Sequence, residues 1–298
     1  MRSCSRTPRQ PPDRYPTQTP TGETLASPAR RPDRHHVEQR RPTQQSSLRR
    51  GSEVDARRAF WNAAEVTPAW FLDEIAHAGP EHLDPAFVSG YDRKQGHPHP
   101  EPDLRVLRTF GCLTPASTVV DLGAGTGRFA LSAAAQCGRV VAVDISHAMA
   151  EHLRRSAADA GATNVECVVS GLLSYDHEGA PADAIYTRNA LHQLPDFWKG
   201  IALHRMERIL RPGGILRLHD LVYDFAPADA VEVLENWMRG ASPDDAIGYT
   251  RDDFATHIRT EFSTYRYLLE PLLTAAGFEI VDSDVHMQVY ATYTCIKP

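Results

Sequence analysis

The chain predicts a doubly wound α/β fold: a mostly parallel sheet flanked by helices, with a helical N-terminal cap before it and a helical insertion near its end. Three observations carry this reading. Short apolar runs alternate with helical patterns from residue 118 onward, at the spacing that right-handed βαβ crossovers require. The first run, Val119-Val120-Asp121-Leu122, passes straight into Gly123-Ala124-Gly125-Thr126-Gly127, where glycines permit positive φ and close approach of backbone to a ligand. Two final runs, 278–285 and 289–296, alternate as strands with a short connection, which suits an antiparallel closing pair.

The elements follow in order. Residues 54–78 hold Ala, Phe, Trp and Leu at helical spacing, and Pro68 is expected to divide two short helices there, placed to lie over the crevice. The stretch from Val88 to Pro100 is too polar and too rich in proline for a regular element. A helix over 102–110 leads into the core. Strands 118–122, 139–143, 165–169, 183–188 and 214–219 then alternate with helices 127–137, 147–160 and 197–210. With the closing pair this makes a seven-stranded sheet. Helix 127–137 is nearly all small residues, as close packing on a sheet demands. Residues 227–277 read as inserted helices whose aromatic residues, Trp237, Phe254, Phe262 and Tyr265 among them, are mostly core; substrate specificity is expected to reside there. The chain thus divides into a tail at 1–50, a helical cap at 51–110 and a ligand-binding domain at 111–298 with its insertion at about 227–277.

Composition narrows the function classes. At 298 residues, 42% hydrophobic and 23% charged, the chain can bury a full core. Residues 1–50 carry 11 Arg, no Lys and 4 acidic residues, a charge of +7, so the −6 of the whole chain leaves −13 on the remainder. An acidic body argues against a nucleic-acid substrate held on an extensive basic surface. The tail, with 8 of the 22 prolines and little aliphatic periodicity, reads as disordered. It is open to reading as an electrostatic tail, an upstream start or a transit peptide. No run of 18 apolar residues and no secretory h-region occur. Cys4, Cys112, Cys137, Cys167 and Cys295, an odd count without C-x-x-C spacing, suit reduced thiols and a cytosolic setting. His97 and His99 lie two apart, but no further ligands converge with them, so no metal is expected.

The glycine turn by itself fits two ligand types. Read from Gly125, with Gly127 and Ala130, it satisfies the dinucleotide pattern; read from Gly123 it fails at Arg128. Asp121, two residues before the first glycine at the carboxyl end of its strand, would repel a diphosphate and favour a cationic group. Asp144, ending the next strand about 20 residues on, suits the hydroxyls of a ribose in either ligand.

With these residues the chain resembles the class I S-adenosylmethionine-dependent methyltransferases, whose first motif reads acidic-x-G-x-G-x-G. The segments Asp183-Ala184-Ile185-Tyr186-Thr187-Arg188-Asn189-Ala190-Leu191-His192-Gln193-Leu194-Pro195 and Ile209-Leu210-Arg211-Pro212-Gly213-Gly214-Ile215-Leu216 resemble that family's fourth strand with its loop and its fifth-strand approach. The resemblance covers roughly 115–220, nearest to small-molecule, quinone-type members. It implies a Rossmann-like sheet, S-adenosyl-L-methionine as cofactor, a small-molecule acceptor, and contacts from Asp121, Gly123, Gly125 and Asp144. It also implies Ile145 beside the adenine and backbone near Leu172 and Asn189. Relatives often place an acidic residue after the third strand for the adenine amino group; here the chain has Ser170-Gly171-Leu172-Leu173. Tyr91-Asp92 matches loosely a Tyr-Asp pair that closes over the methionine moiety, an ordinary surface turn being the alternative. His192, after the fourth strand, is the candidate general base, with loop bracing as its other reading; His219, Asp220 and Tyr223 are weaker candidates. A nicotinamide oxidoreductase and a cofactor-binding regulatory module remain as other functions.

Overall fold

The computed structural model describes residues 68–96 and 98–298; the tail, most of the segment at 54–78, Cys4 and His97 lie outside the described residues. Strands β1 (Thr118–Leu122), β2 (Arg139–Asp144), β3 (Val165–Val169), β4 (Ala182–Arg188) and β5 (Leu210–Tyr223) are parallel neighbours. The two-residue β6 (Thr264–Tyr265) pairs with β5, and β7 (Glu279–His286) and β8 (Tyr290–Ile296) close the sheet antiparallel. The order is β3-β2-β1-β4-β5-β8-β7, so the direction of winding reverses between β1 and β4. In open α/β sheets ligands bind outside the carboxyl ends at such a switch. β6 is an addition to the seven strands expected and falls inside the segment read as helical.

The two-residue period of each strand splits its side chains between two cores. Val120, Val141 and Ile185 pack with Trp198, Leu203 and Met206 of α5 (Asp196–Ile209) and Leu273 of α8 (Arg266–Ala275). Val119, Val140 and Ala184 face Leu107 of α2 (Glu101–Thr109), Phe129 and Ala133 of α3 (Arg128–Ala134) and Leu153 of α4 (His147–Asp159). Burial on both faces is why these strands are continuous in Val and Ile. A third cluster joins Leu221, Tyr223 and Val289 to Trp237 of α6 (Ala230–Met238) and Phe254 and Ile258 of α7 (Arg251–Thr260).

Two expectations need correction. The stretch beginning at Val88 is helical: α1 spans Pro85–Lys94. Asp84 caps it by accepting from the Ala86 amide at 2.9 Å, Pro85 opens the first turn, and Arg93 and Lys94 sit at the end where cations oppose the helix dipole. Those local signals outweigh the polarity of the segment. In the described part of 54–78, the one regular element is a 3-10 turn at Ile75–His77.

Candidate functional site

The floor of the crevice is the turn after β1. The Gly123 and Ala124 amides both donate to the Val143 carbonyl, at 2.8 and 2.9 Å, which stitches the turn to β2. Gly123 has φ +76° and a Cβ there would stand 2.5 Å from that of Ala190; Gly127, at φ +88°, would drive one to 2.5 Å from Leu153 Cγ. Gly125 differs. A Cβ on it would meet Tyr91 Cε1 at an ordinary 3.6 Å, so this glycine keeps the crevice open rather than admitting a neighbour.

Asp144 ends β2 with both carboxylate oxygens engaged: Oδ2 accepts from the Gly125 amide at 2.7 Å and Oδ1 from the Ser146 amide at 2.8 Å. Burial pushes its pKa above the ordinary carboxylate value, and these two amides pull it back. Asp121 has less support. It is 2% exposed, and its Oδ2 is buried with no hydrogen-bond partner. Burial first, then the charge of Asp144, push its pKa up to about 8, against a smaller opposing effect of the Ala130 amide. A buried, unsatisfied carboxylate is costly unless a donor or a cation reaches it.

Two adjoining cavities of about 590 and 700 Å³ share Tyr91, Gly123, Gly125, Arg188 and Asn189. The smaller also takes in Asp92, His99, Asp121, Arg128, Phe129 and Tyr186; the larger takes in Glu74, Asp144, Ile145, Ser146, Gly171 and Leu172. Every residue named from the sequence as a cofactor contact therefore borders this one crevice. Asn189 holds a left-handed φ of 51° directly after β4. Arg188, also at the end of β4, has a buried Nε without a partner.

Helix α1 roofs the crevice. Asp92 accepts a hydrogen bond from Thr126 and stands 3.6 Å from Arg128, which ties the roof to the glycine turn. Gln95 donates to Tyr91 Oη at 3.0 Å and to Tyr249 Oη at 2.7 Å, and Lys94 pairs with Asp253 at 3.2 Å, which ties it to the inserted segment. Residues 227–277 line neither cavity. The segment supports the roof instead, and of its aromatic side chains Trp237, Phe254 and Tyr265 pack in the third core cluster.

Glu74 escaped the sequence reading. Its carboxylate accepts from the Leu173 amide at 2.9 Å and lies against Gly171, where a Cβ would fall 2.3 Å from the Glu74 carboxyl carbon. It brings a carboxylate, with a pKa raised by burial, to the place after β3 where the chain has only Ser170-Gly171-Leu172-Leu173. With 99 positions between Glu74 and Leu173, no local pattern could have signalled it. Arg188 escaped too, although its position in the quoted fourth-strand motif was a usable signal.

His192 occupies a different environment from the one expected of a base. It is 5% exposed and borders neither cavity. Its Nδ1 meets Asp220, and its Nε2 stands 2.9 Å from Glu261 Oε2. Burial alone would depress the imidazole, but the two carboxylates more than reverse this and raise its pKa to about 9. The geometry is that of a brace for the loop after β4. His219 is likewise taken up, between Asp103 at 2.6 Å and Thr292 at 2.9 Å, and neither Asp220 nor Tyr223 borders the crevice.

Comparison with known proteins agrees with the fold. Residues 119–214 match the family model described as a methyltransferase domain. The chain is 26% identical over 113 residues to phosphoethanolamine N-methyltransferase 2 of Caenorhabditis elegans, covering 38% of this chain and 25% of that one. It is also 26% identical over 178 residues to arsenite methyltransferase of Halobacterium salinarum, covering 59% and 40%. It thus spans well under half the length of these curated relatives. Among solved structures, Haemonchus contortus phosphoethanolamine N-methyltransferase 2, in complex with phosphomonomethylethanolamine and S-adenosylhomocysteine, superposes with a TM-score of 0.56 at 14% identity, over 76% of this chain and 61% of that one. No helix among the described residues is long and apolar enough to cross a membrane.

Proposed function

We propose that this protein, whose residues 119–214 match a methyltransferase-domain model, transfers a methyl group from S-adenosylmethionine to a small-molecule acceptor. The observation that carries the reading is the orphaned Asp121 Oδ2: a carboxylate buried beside a second carboxylate fits a positively charged ligand and disfavours a diphosphate. When bound, the cofactor supplies a methyl group on a cationic sulfur. The chain's own residues bind and orient it. Asp144, held in place by the Gly125 and Ser146 amides, is the ribose acceptor, and Ile145 and Leu172 flank the adenine side of the larger cavity. Glu74 takes the part of the adenine-reading acid that the sequence lacks after β3. Asp121, Gly123 and Asn189 border the smaller cavity, which receives the methionine end and, toward His99 and Tyr186, the acceptor.

The roof formed by α1 excludes water and fixes the approach of the acceptor, and positioning of this kind is worth about 7–11 kcal/mol of barrier. We assign His192 to bracing the loop rather than to proton transfer, since both its ring nitrogens face carboxylates. Cys112, Cys137, Cys167 and Cys295 are free thiols, which supports a cytosolic setting, and the charge of −13 outside the tail supports an acceptor other than nucleic acid. Calorimetry tests the reading: one equivalent of S-adenosylmethionine binds, NAD gives no heat, and Asp144→Ala weakens the affinity. Heat from NAD in place of S-adenosylmethionine would overturn it.

A further inference from the structure

We propose that His192, His257 and Glu261 form a binding site for one divalent transition-metal ion of the zinc type, at the junction between the loop after β4 and the inserted helix α7. The three ligand atoms, His192 Nε2, His257 Nδ1 and Glu261 Oε2, lie within 4.8 Å of one another. Glu261 Oε2 stands 2.9 Å from the first and 2.6 Å from the second. A tetrahedral ion with bonds of about 2.0–2.2 Å needs ligand atoms roughly 3.3–3.6 Å apart, within reach of small side-chain rotations here.

The surroundings are built for that role. In metal sites the second nitrogen of each ligating imidazole is held by an acceptor that fixes the tautomer and turns the free lone pair toward the ion. Both imidazoles meet this condition. His192 Nδ1 is held by Asp220, and His257 Nε2 lies 2.7 Å from Ser263 Oγ. Asp220 is itself fixed by the amides of Leu191 at 2.8 Å and Leu221 at 2.7 Å. His257 and Glu261 are one helical turn apart and share a face of α7 at its end. Two buried or half-buried carboxylates, Asp220 and Glu261, balance a divalent charge once the ion has displaced the protons between the ligand atoms. The nearby cation Lys199 is occupied by Asp196 and the Phe262 carbonyl.

Gln193 supplies the fourth position. Its amide nitrogen stands 3.1 Å from His192 Nε2 and 3.2 Å from Glu261 Oε2, and rotation of the amide presents the oxygen instead. The same residue borders the larger cavity, so an ion here would fix both the inserted helices and one wall of the crevice. With no thiolate among the ligands, the nitrogen–oxygen set suits zinc or cobalt(II) rather than soft ions.

The test uses the full chain, stripped with chelator and without methyl donor, so that its outcome is independent of the proposed reaction. Titration with Zn²⁺ and Co²⁺ is expected to give one equivalent bound, a rise in melting temperature and the visible bands of tetrahedral cobalt. Asp220→Asn should weaken binding about 10–100-fold. His257→Cys should add a sulfur-to-cobalt charge-transfer band. Failure of the wild-type chain to bind one equivalent overturns the proposal, whatever the folding of the variants. So does cobalt bound by His257→Cys without that band, or affinity that survives His257→Ala unchanged, since the ion then sits elsewhere.

Discussion

At the scale of single residues, Asp121 is pulled two ways by the empty and the filled crevice. Its folded pKa, raised to about 8 from the ordinary 3.8 by burial and by Asp144, means that the folded chain binds this proton more tightly than the unfolded chain. Its contribution to stability is therefore present below about pH 4 and is lost as pH rises through about 8. Thermal melts from about pH 5 to about pH 9 should show a decline that Asp121→Asn flattens, whereas affinity for a cationic ligand should rise over the same range and lose this slope in the variant. The glycines separate space from strain. Gly123→Ala forces a Cβ against Ala190 at positive φ and should cost about 1–3 kcal/mol of stability in denaturant unfolding. Gly125→Ala meets only ordinary contact and should cost about 1–2 kcal/mol from backbone strain, yet it should lower ligand affinity more than Gly123→Ala does relative to its stability cost. Asp121, Asp144 and the glycines were legible because strand ends and glycine turns have local sequence signals. Glu74 was not, since only the folded chain brings it to Gly171. His192 was placed in the right loop, but the carboxylates that occupy it come from residues 220 and 261 and leave no mark near it.

At the scale of elements, α1 depends on its first turn. Asp84→Ala removes the side-chain cap on Ala86 and should destabilise the helix by about 0.5–2 kcal/mol. Because α1 is the roof, the loss should appear as weaker methyl-donor binding in calorimetry as well as faster amide exchange across Pro85–Lys94. This helix was misread because its apolar content is low and prolines follow it. The capping aspartate and Pro85 were the signals that deserved more weight. The parallel strands were legible to within a residue or two, since short runs rich in Val, Ile and Ala alternate with helical patterns, most clearly in β1 and β2, which are buried on both faces. β5 was not: it begins at Leu210, before Pro212-Gly213-Gly214, and the register shift opposite Ala182 and Ala184 lets those residues loop out without ending the pairing.

At the scale of the whole molecule, one buried polar network joins the cap side to the closing strands. Asp103 of α2 takes Arg217 Nε at 2.8 Å and His219 at 2.6 Å on β5, and Arg217 reaches Thr294 on β8 at 2.7 Å. Burial raises the Asp103 pKa, but the bonds from His219 and the charge of Arg217 prevail and hold it below the ordinary value. Its stabilisation is present at neutral pH and disappears as pH falls through that lowered value. Asp103→Ala leaves Arg217 buried without its counter-ion and should lower unfolding free energy by about 3–5 kcal/mol, read from the denaturant midpoint at constant slope. The doubly wound order was legible from alternation alone, because right-handed crossovers leave few other topologies; the network was not, as its bonded pairs lie up to 116 positions apart.

At the edge of the crevice the Gln95 amide joins two phenols, Tyr91 on its own helix and Tyr249 on the inserted segment, and so clips α1 to that segment. If a ligand enters only when that clip releases, its entry waits on a unimolecular step. In stopped-flow mixing the observed association rate should then plateau at high ligand concentration, and Gln95→Ala should raise that ceiling.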